Sequence, residues 1–202
     1  MKKVLALVMV VLALRGWAAA QLPSADIFFG YSYARATLPA PTIRPDMAGV
    51  VPSGSSGLNG WNASLEGKLL PLIGIVADFS GHYGSQSVTA TCGFVALPCL
   101  TIREPMDATV YHFLVGPQLS FSLARVRPFA HALFGAAHLS ENAQAQPFSA
   151  SDTAFSYALG GGVDYRLLGP LRWRVQGDFL QDQLFSKSSN YFRFSTGPVL
   201  HF

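Results

Sequence analysis

The sequence predicts an all-β protein, an eight-stranded antiparallel up-and-down transmembrane β-barrel. Three observations predict it: segments in which apolar and polar residues alternate, a high apolar content without long apolar runs beyond residue 20, and connections that alternate between long and short. Half of the residues are hydrophobic and only 12% are charged, whereas soluble proteins carry about 25% charged residues. A membrane protein built from strands rather than helices has this composition.

The last segment, from Tyr191 to Phe202, shows the alternation most clearly. Successive side chains of a strand point to opposite faces, so this segment has one apolar and one polar face. Seven earlier segments have the same period, each close to the length that a tilted transmembrane strand needs. They span residues 26–35, 58–69, 73–83, 108–121, 127–138, 153–165 and 171–179.

The fifth segment is rich in small residues, and its phase is ambiguous. We expect His131 to face inward because imidazole is poorly accommodated by lipid, although this choice also turns Phe129 and Leu133 inward. The outward set is then Ala130, Ala132, Phe134 and Ala136.

The charged residues distinguish a membrane barrel from a soluble sandwich, whose strands also alternate. Charges avoid the apolar faces except near strand ends and gather on the opposite faces, which are rich in Gly, Ser and Ala. Side chains just fill the interior of eight strands, and buried charges must pair. We therefore expect a lumen charge network in which Arg172 or Arg174 bridges Glu66 or Asp78; an ion path or proton relay is the alternative. Its members are Glu66, Lys68, Asp78, Asp164, Arg172, Arg174, Asp178 and Arg193.

The connections also follow the pattern of a membrane barrel, which has long loops at one end and tight turns at the other. Long polar segments cover residues 36–57, 84–107, 139–152 and 183–189, whereas short ones cover 70–72, 122–126 and 166–170. Aromatic residues near strand ends, such as Trp61, Tyr83 and Trp173, suit the girdles at membrane–water interfaces.

Residues 1–20 are expected to be a signal peptide, followed by one barrel domain over residues 21–202. Lys2 and Lys3 precede an apolar run, and three alanines end at Ala20 as a small-residue cleavage site. Removal of Lys2, Lys3 and Arg15 leaves eleven basic and eleven acidic residues. The exported chain is therefore formally neutral, and we expect no nucleic-acid partner.

Cys92 and Cys99 are the only cysteines, and both lie in a long predicted loop. Because exported bacterial compartments are oxidising, we expect a local disulfide between them.

The signal peptide, the eight alternating segments, the stretches 162–166 and 176–179 and the terminal Phe202 resemble small outer-membrane barrels of the OmpA-like and OmpX-like type. The resemblance implies an integral protein of the bacterial outer membrane with both termini in the periplasm and long external loops. It implies a structural or surface-interaction role, contact with outer-membrane lipid and lipopolysaccharide, and a Phe202 strand that the barrel-assembly machinery recognises as its signal. The loop ligand is not specified.

The main alternative is a lipid A-modifying enzyme, because some such barrels are deacylases with a His-x-Ser pair and an acidic partner. His138, Ser140 and Glu141 fit that pattern, but three residues arise easily by chance, and we expect no enzymatic activity. A narrow-pore channel is the third possibility. Gly160–Gly162 lacks the lysine and following helix of a nucleotide loop. We expect neither a cofactor nor a metal site, since His82, His112 and His201 lie on separate strands.

Overall fold

The computed structural model describes residues 24–36, 50–52, 56–90, 102–143, 149–184 and 188–202. The predicted signal peptide and the two cysteines lie outside the described residues. The described ranges contain nine strands: β1 (Ala25–Ala36), β2 (Val50–Pro52), β3 (Ser56–Lys68), β4 (Ile73–Ala90), β5 (Ile102–Ser120), β6 (Val126–Ala143), β7 (Ser149–Leu168), β8 (Leu171–Asp182) and β9 (Ser189–His201). No helix in these ranges is long and apolar enough to cross a membrane.

Eight of the strands close into an antiparallel up-and-down barrel, which confirms the predicted fold class. Each long strand pairs with its neighbour in sequence, and β1 pairs with β9 to complete the ring. At this seam Asp26 stands opposite His201, and the backbones of Ala25 and Phe202 exchange two hydrogen bonds. The three-residue β2 lies outside the ring, against the far end of β4.

Where burial is described, it alternates along the long strands: the exposed large side chains are mainly apolar, and the enclosed side chains include most of the charged ones. On β8, Trp173 and Phe179 are exposed, whereas Arg172 and Asp178 are buried. This is the reverse of a soluble protein and the arrangement of a barrel with a lipid-facing exterior.

The phase predicted for the fifth transmembrane strand, β6, is confirmed. Phe129, His131 and Leu133 are buried in the interior, and Phe134 is exposed on the outside. The outward Ala130 is exposed as well, whereas Ala132 and Ala136 are half-buried between neighbouring strands.

Two of the predicted loops are shorter than expected because the strands continue into them. β4 runs to Ala90 and β5 begins at Ile102, and β6 and β7 likewise extend from Leu139 to Ala143 and back from Ser149. The polar composition of these stretches suggested loops, but hairpin pairing continues through them. Val and Thr, which favour strands, occur in them.

The opposite end of the barrel has tight turns, which we call the turn end; the end with the long connections is the loop end. The β7–β8 connection contains only Gly169 and Pro170, and Gly169 has a φ of 53°. That left-handed conformation costs glycine little, which allows a tighter turn than the predicted 166–170 connection.

Candidate functional site in the barrel interior

A buried cluster at the turn end is centred on Arg127. Its guanidinium donates hydrogen bonds to the carboxylates of Asp26 and Glu66, and a further one to Ser120 Oγ at 2.8 Å. Gln118 donates to the second oxygen of Glu66 at 2.7 Å. Since Arg127 lies on β6 and the two carboxylates on β1 and β3, the cluster ties opposite walls of the barrel together.

Arg174 joins this cluster from β8. Its Nε and Nη2 donate to the two carboxylate oxygens of Asp164 at 2.7 Å and 2.9 Å, a bidentate pair, and Nη2 lies 3.9 Å from Glu66. The guanidinium also lies 4.4 Å from the ring centre of Phe129 and 5.3 Å from that of Phe28. Aromatic faces attract cations, so this charge is balanced by carboxylates and by two rings.

A second cluster lies nearer the loop end and is centred on Arg193. It donates to Asp78 Oδ1 and Asp178 Oδ2, both at 2.8 Å, and to Ser80 Oγ at 2.9 Å. The other oxygen of Asp178 lies 2.8 Å from His131 Nε2. Arg193 is completely buried, so its charge depends on these two carboxylates.

The structure brings most of the predicted lumen residues into these two clusters. Of the ion pairs expected from the sequence, Arg174 and Glu66 are in contact at 3.9 Å. Asp78 pairs with Arg193 instead of Arg172 or Arg174. Arg172 lies 3.8 Å from Asp26, and Lys68 is half-buried at the turn end.

Several interior charges were missed by the sequence reasoning. Asp26 has the inward parity of Phe28, and Arg127 that of Phe129, so extending the alternation by one residue pair would have included both. Asp182 also lies inward at the end of β8. These residues were missed because each stands at the end of a segment, where the apolar partners that mark the phase are fewer.

A polar chain with two histidines fills the next layer. Tyr191 Oη lies 2.5 Å from His112 Nε2 and donates to Asp182 at 2.6 Å, and Ser156 donates to the other oxygen of Asp182 at 2.5 Å. All four residues are buried. The arrangement satisfies the carboxylate with neighbouring donors, as a buried charge requires.

The Nε2 atom of the second histidine, His82, lies 2.9 Å from Ser32 Oγ. Ser32 Oγ lies 2.9 Å from Ser195 Oγ in turn. Its ring centre is 6.2 Å from that of His112. In the described part of the chain, no three His, Cys, Asp or Glu side chains are grouped so that they could hold a metal ion.

Apolar side chains also lie in the barrel interior, from the level of the Arg193 cluster to the loop end, alongside the buried Glu141. Val110 and Leu139 face each other across β5 and β6, and both are completely or almost completely buried. Bulky members of the same apolar cluster are Leu58, Val110, Leu114, Leu133, Leu139, Leu180 and Leu184. We call these seven residues the apolar plug. An ion that entered from the loop end would have to pass these apolar side chains, which is unfavourable.

The candidate catalytic residues do not form a triad. His138 lies on the outer surface, where its Nδ1 is 2.7 Å from Thr153 Oγ1. Ser140 follows on the same face, whereas Glu141 is fully buried on the interior face of β6. Because adjacent strand residues point to opposite sides, the barrel wall separates this carboxylate from the histidine.

The Gly160–Gly162 stretch lies where β7 and β8 pack closely around the second cluster. A Cβ on Gly160 would lie 2.1 Å from Asp178 Oδ1, and one on Gly162 would lie 2.3 Å from the carbonyl oxygen of Val175. Gly160 therefore leaves room for the carboxylate that Arg193 requires, and Gly162 allows the β8 backbone to approach closely.

The sequence matches no protein-family model, and no curated protein shows significant similarity to it. Solved structures do resemble it. The superposition with Neisserial surface protein A covers 89% of this chain and 97% of that protein, with 11% identity and a TM-score of 0.59. Ail, the attachment invasion locus protein of Yersinia pestis, solved with the heparin analogue sucrose octasulfate, has 16% identity, coverage of 88% and 98%, and a TM-score of 0.53. The outer membrane protein OprG of Pseudomonas aeruginosa has 9% identity, coverage of 90% and 97%, and a TM-score of 0.52.

At these identities the comparisons show the fold. The likeness extends over nearly the whole length of each compared chain. It agrees with the closed ring of strands and the exposed apolar exterior. The chain has the fold of the small outer-membrane β-barrels.

Proposed function

We propose that this protein is an integral barrel of a bacterial outer membrane with a structural or surface-interaction role, exerted through the segments at its loop end. The observation that carries the proposal is the inverted burial: rings such as Phe179 are exposed around the wall, while Arg193 and Asp178 are enclosed. Only a nonpolar solvent around the barrel makes this arrangement favourable.

In this proposal the turn end faces the periplasm and the loop end faces outward. The exterior contacts membrane lipid, with lipopolysaccharide around the loop end. Residues 1–20 direct export, Cys92 and Cys99 form a disulfide in the oxidising exterior, and the barrel-assembly machinery recognises the strand that ends in Phe202. Outer-membrane barrels place their long loops on the cell surface, which supports this orientation.

The loop-end segments give the best indication of the external partner. Residues 36–57, 84–107, 139–152 and 183–189 contain three basic residues, Arg44, Arg103 and Lys187. They contain five acidic residues, Asp46, Glu104, Asp107, Glu141 and Asp152. Because Glu141 is buried inside the barrel and the exposed Arg35 adds a basic residue, the count becomes four basic and four acidic residues, with no net positive charge. Ail was solved with a sulfated heparin analogue, but this charge balance disfavours a polyanion here. We propose a partner that binds through apolar and hydroxyl contacts.

A channel function is not favoured, because the apolar plug and the Arg127 cluster both occupy the barrel interior. We expect no ion conductance in planar bilayers. The lipid A deacylase is not favoured either, because the barrel wall separates Glu141 from His138. Lipid A from cells that express the protein should keep all its acyl chains in mass spectra; loss of one chain would establish the deacylase instead.

Cell fractionation combined with gel migration tests the proposal. The protein should be recovered with the outer membrane, and the folded form should migrate differently in boiled and unboiled samples. Recovery in a soluble fraction, or migration that boiling does not change, would refute an integral barrel.

A further inference from the structure

The turn end carries an unusual set of exposed leucines. Leu168 is 80% exposed and Leu123 is 65% exposed, values above those of the wall residues. All three short connections contribute to this set, which we call the leucine rim: Leu69, Leu70, Leu72, Leu123, Leu167 and Leu168. Turns that extended into water would expose these side chains at a cost of about 25 cal/mol for each Å² of apolar surface.

The leucine rim lies beyond the height that the lipid core requires. Tyr111 and Phe121 are exposed and ten residues apart on the β5 side. At a rise of about 3.3 Å per residue and a tilt of about 40°, this separation covers about 25 Å along the barrel axis. That is about the full height of the apolar band of an outer-membrane barrel. Leu123 therefore lies past the aromatic girdle, at the boundary between the acyl chains and the lipid headgroups.

Two exposed arginines accompany the leucines. The backbone N–H of Arg166 donates to the carbonyl oxygen of Arg125 at 2.8 Å, so their guanidinium groups leave the barrel from adjacent positions. In the described part of this rim the acidic side chains, Asp26, Glu66 and Asp164, are all buried. Neighbouring cations without an exposed carboxylate are unfavourable unless an anion joins them.

We propose that the turn end binds the phospholipid leaflet, with the leucine rim inserted among the upper parts of the acyl chains and Arg125 and Arg166 bound to lipid phosphates. The rim is continuous with the lipid-facing wall, and guanidinium groups form strong hydrogen bonds with phosphate. The inference rests on the proposed membrane function and adds a specific binding surface to it.

Depth-dependent fluorescence quenching in bilayers tests the position of the rim. Single cysteines at Leu123→Cys, Leu168→Cys, Phe179→Cys and Ser151→Cys, in a chain with Cys92→Ser and Cys99→Ser, would carry a fluorophore. Phe179→Cys marks the lipid core, and Ser151→Cys marks the exposed loop end. We expect lipids with a quencher close to the glycerol to quench Leu123→Cys and Leu168→Cys. Aqueous iodide should quench these two several-fold less than Ser151→Cys.

The outcomes separate the inference from the proposed function. If iodide quenches the rim labels as strongly as Ser151→Cys, while a mid-chain lipid quencher reaches Phe179→Cys, the barrel stands and the rim faces water or a periplasmic protein. That result would overturn the inference. If lipid quenchers do not reach Phe179→Cys, the membrane function itself fails.

The phosphate contact has its own test, in which Arg125→Gln/Arg166→Gln is compared with Arg35→Gln, an exposed arginine at the loop end. In phosphatidylglycerol bilayers the double variant should lower the folding equilibrium constant by about fivefold per arginine, or about 30-fold in total. The loss should be smaller in phosphatidylcholine. A double variant that is as stable as Arg35→Gln in phosphatidylglycerol would refute the contact.

Discussion

Asp164 and Arg174 face each other across the β7–β8 hairpin and form a bidentate pair, with N–O distances of 2.7 Å and 2.9 Å. Both side chains are buried. Arg174 also lies 3.9 Å from Glu66, which links the pair to the Arg127 cluster. Removal of either partner leaves an enclosed charge, which makes this pair the most direct test of the interior network.

We expect Arg174→Ala to destabilise the barrel by about 3–5 kcal/mol, because it leaves the Asp164 carboxylate buried without its main partner. For a protein of this size, that corresponds to a decrease of roughly 10 °C in the unfolding temperature. Circular dichroism in detergent during heating measures it.

Two variants control this experiment. Arg166→Ala removes an exposed arginine from the same hairpin and should change the unfolding temperature little in a detergent without phosphate groups. Arg174→Met/Asp164→Leu replaces both charges with apolar groups and should recover much of the loss. An unfolding temperature of Arg174→Ala equal to that of the original protein would count against the network.

Close packing at Gly160 gives a second prediction. A Cβ at this position would meet Asp178 Oδ1 at 2.1 Å, so Gly160→Ala should displace the carboxylate from Arg193 and His131. We expect a loss of about 1–3 kcal/mol, the usual cost of overpacking. Gly67→Ala is the matched control, because a Cβ at Gly67 would have no atom within 4 Å. Equal unfolding temperatures for the two alanine variants would contradict this packing.

The solvent around the barrel determines the third prediction. Phe179 is 43% exposed on the central part of β8, so Phe179→Arg should cost about 2–4 kcal/mol in a lipid bilayer. Ser151→Arg, beyond the membrane band, should cost little. Urea unfolding of protein folded into vesicles compares the two. A Phe179→Arg variant as stable as Ser151→Arg would indicate that this face is not in lipid.

The sequence predicts which face of the barrel wall a side chain lies on better than it predicts which residue that side chain contacts. Alternation alone is enough to turn Arg172 and Asp178 inward and Trp173 outward, because the period of a strand is two residues. It does not give the height of a side chain in the barrel. The ion pair between Asp78 and Arg193 joins residues 115 positions apart. Finding it requires the stagger of all the intervening strands, which no local pattern contains.

The loop ends were harder to predict for a related reason. Outside the membrane neither face of a hairpin has to be apolar, so the stretch from Ser85 to Ala90 lacks the signal that marks the strands below it. Hairpin pairing nevertheless continues there, from Ser85 opposite Asp107 to Ala90 opposite Ile102. Of the residues in the apolar plug, the sequence analysis expected only Leu133 to face inward. The others were missed because the interior of the barrel was expected to be polar.

The last prediction concerns Phe202, whose backbone exchanges hydrogen bonds of 2.9 Å and 3.2 Å with Ala25 across the seam. Deletion of Phe202 removes these bonds together with the ring, whereas Phe202→Ala keeps the backbone contacts. If the ring serves recognition during assembly, Phe202→Ala should reduce the amount of heat-modifiable protein in the outer membrane. It should leave the unfolding temperature of protein refolded in detergent nearly unchanged, because the ring is exposed. Phe202→Tyr should restore assembly. Normal amounts of Phe202→Ala in the membrane would show that the terminal ring is not an assembly signal.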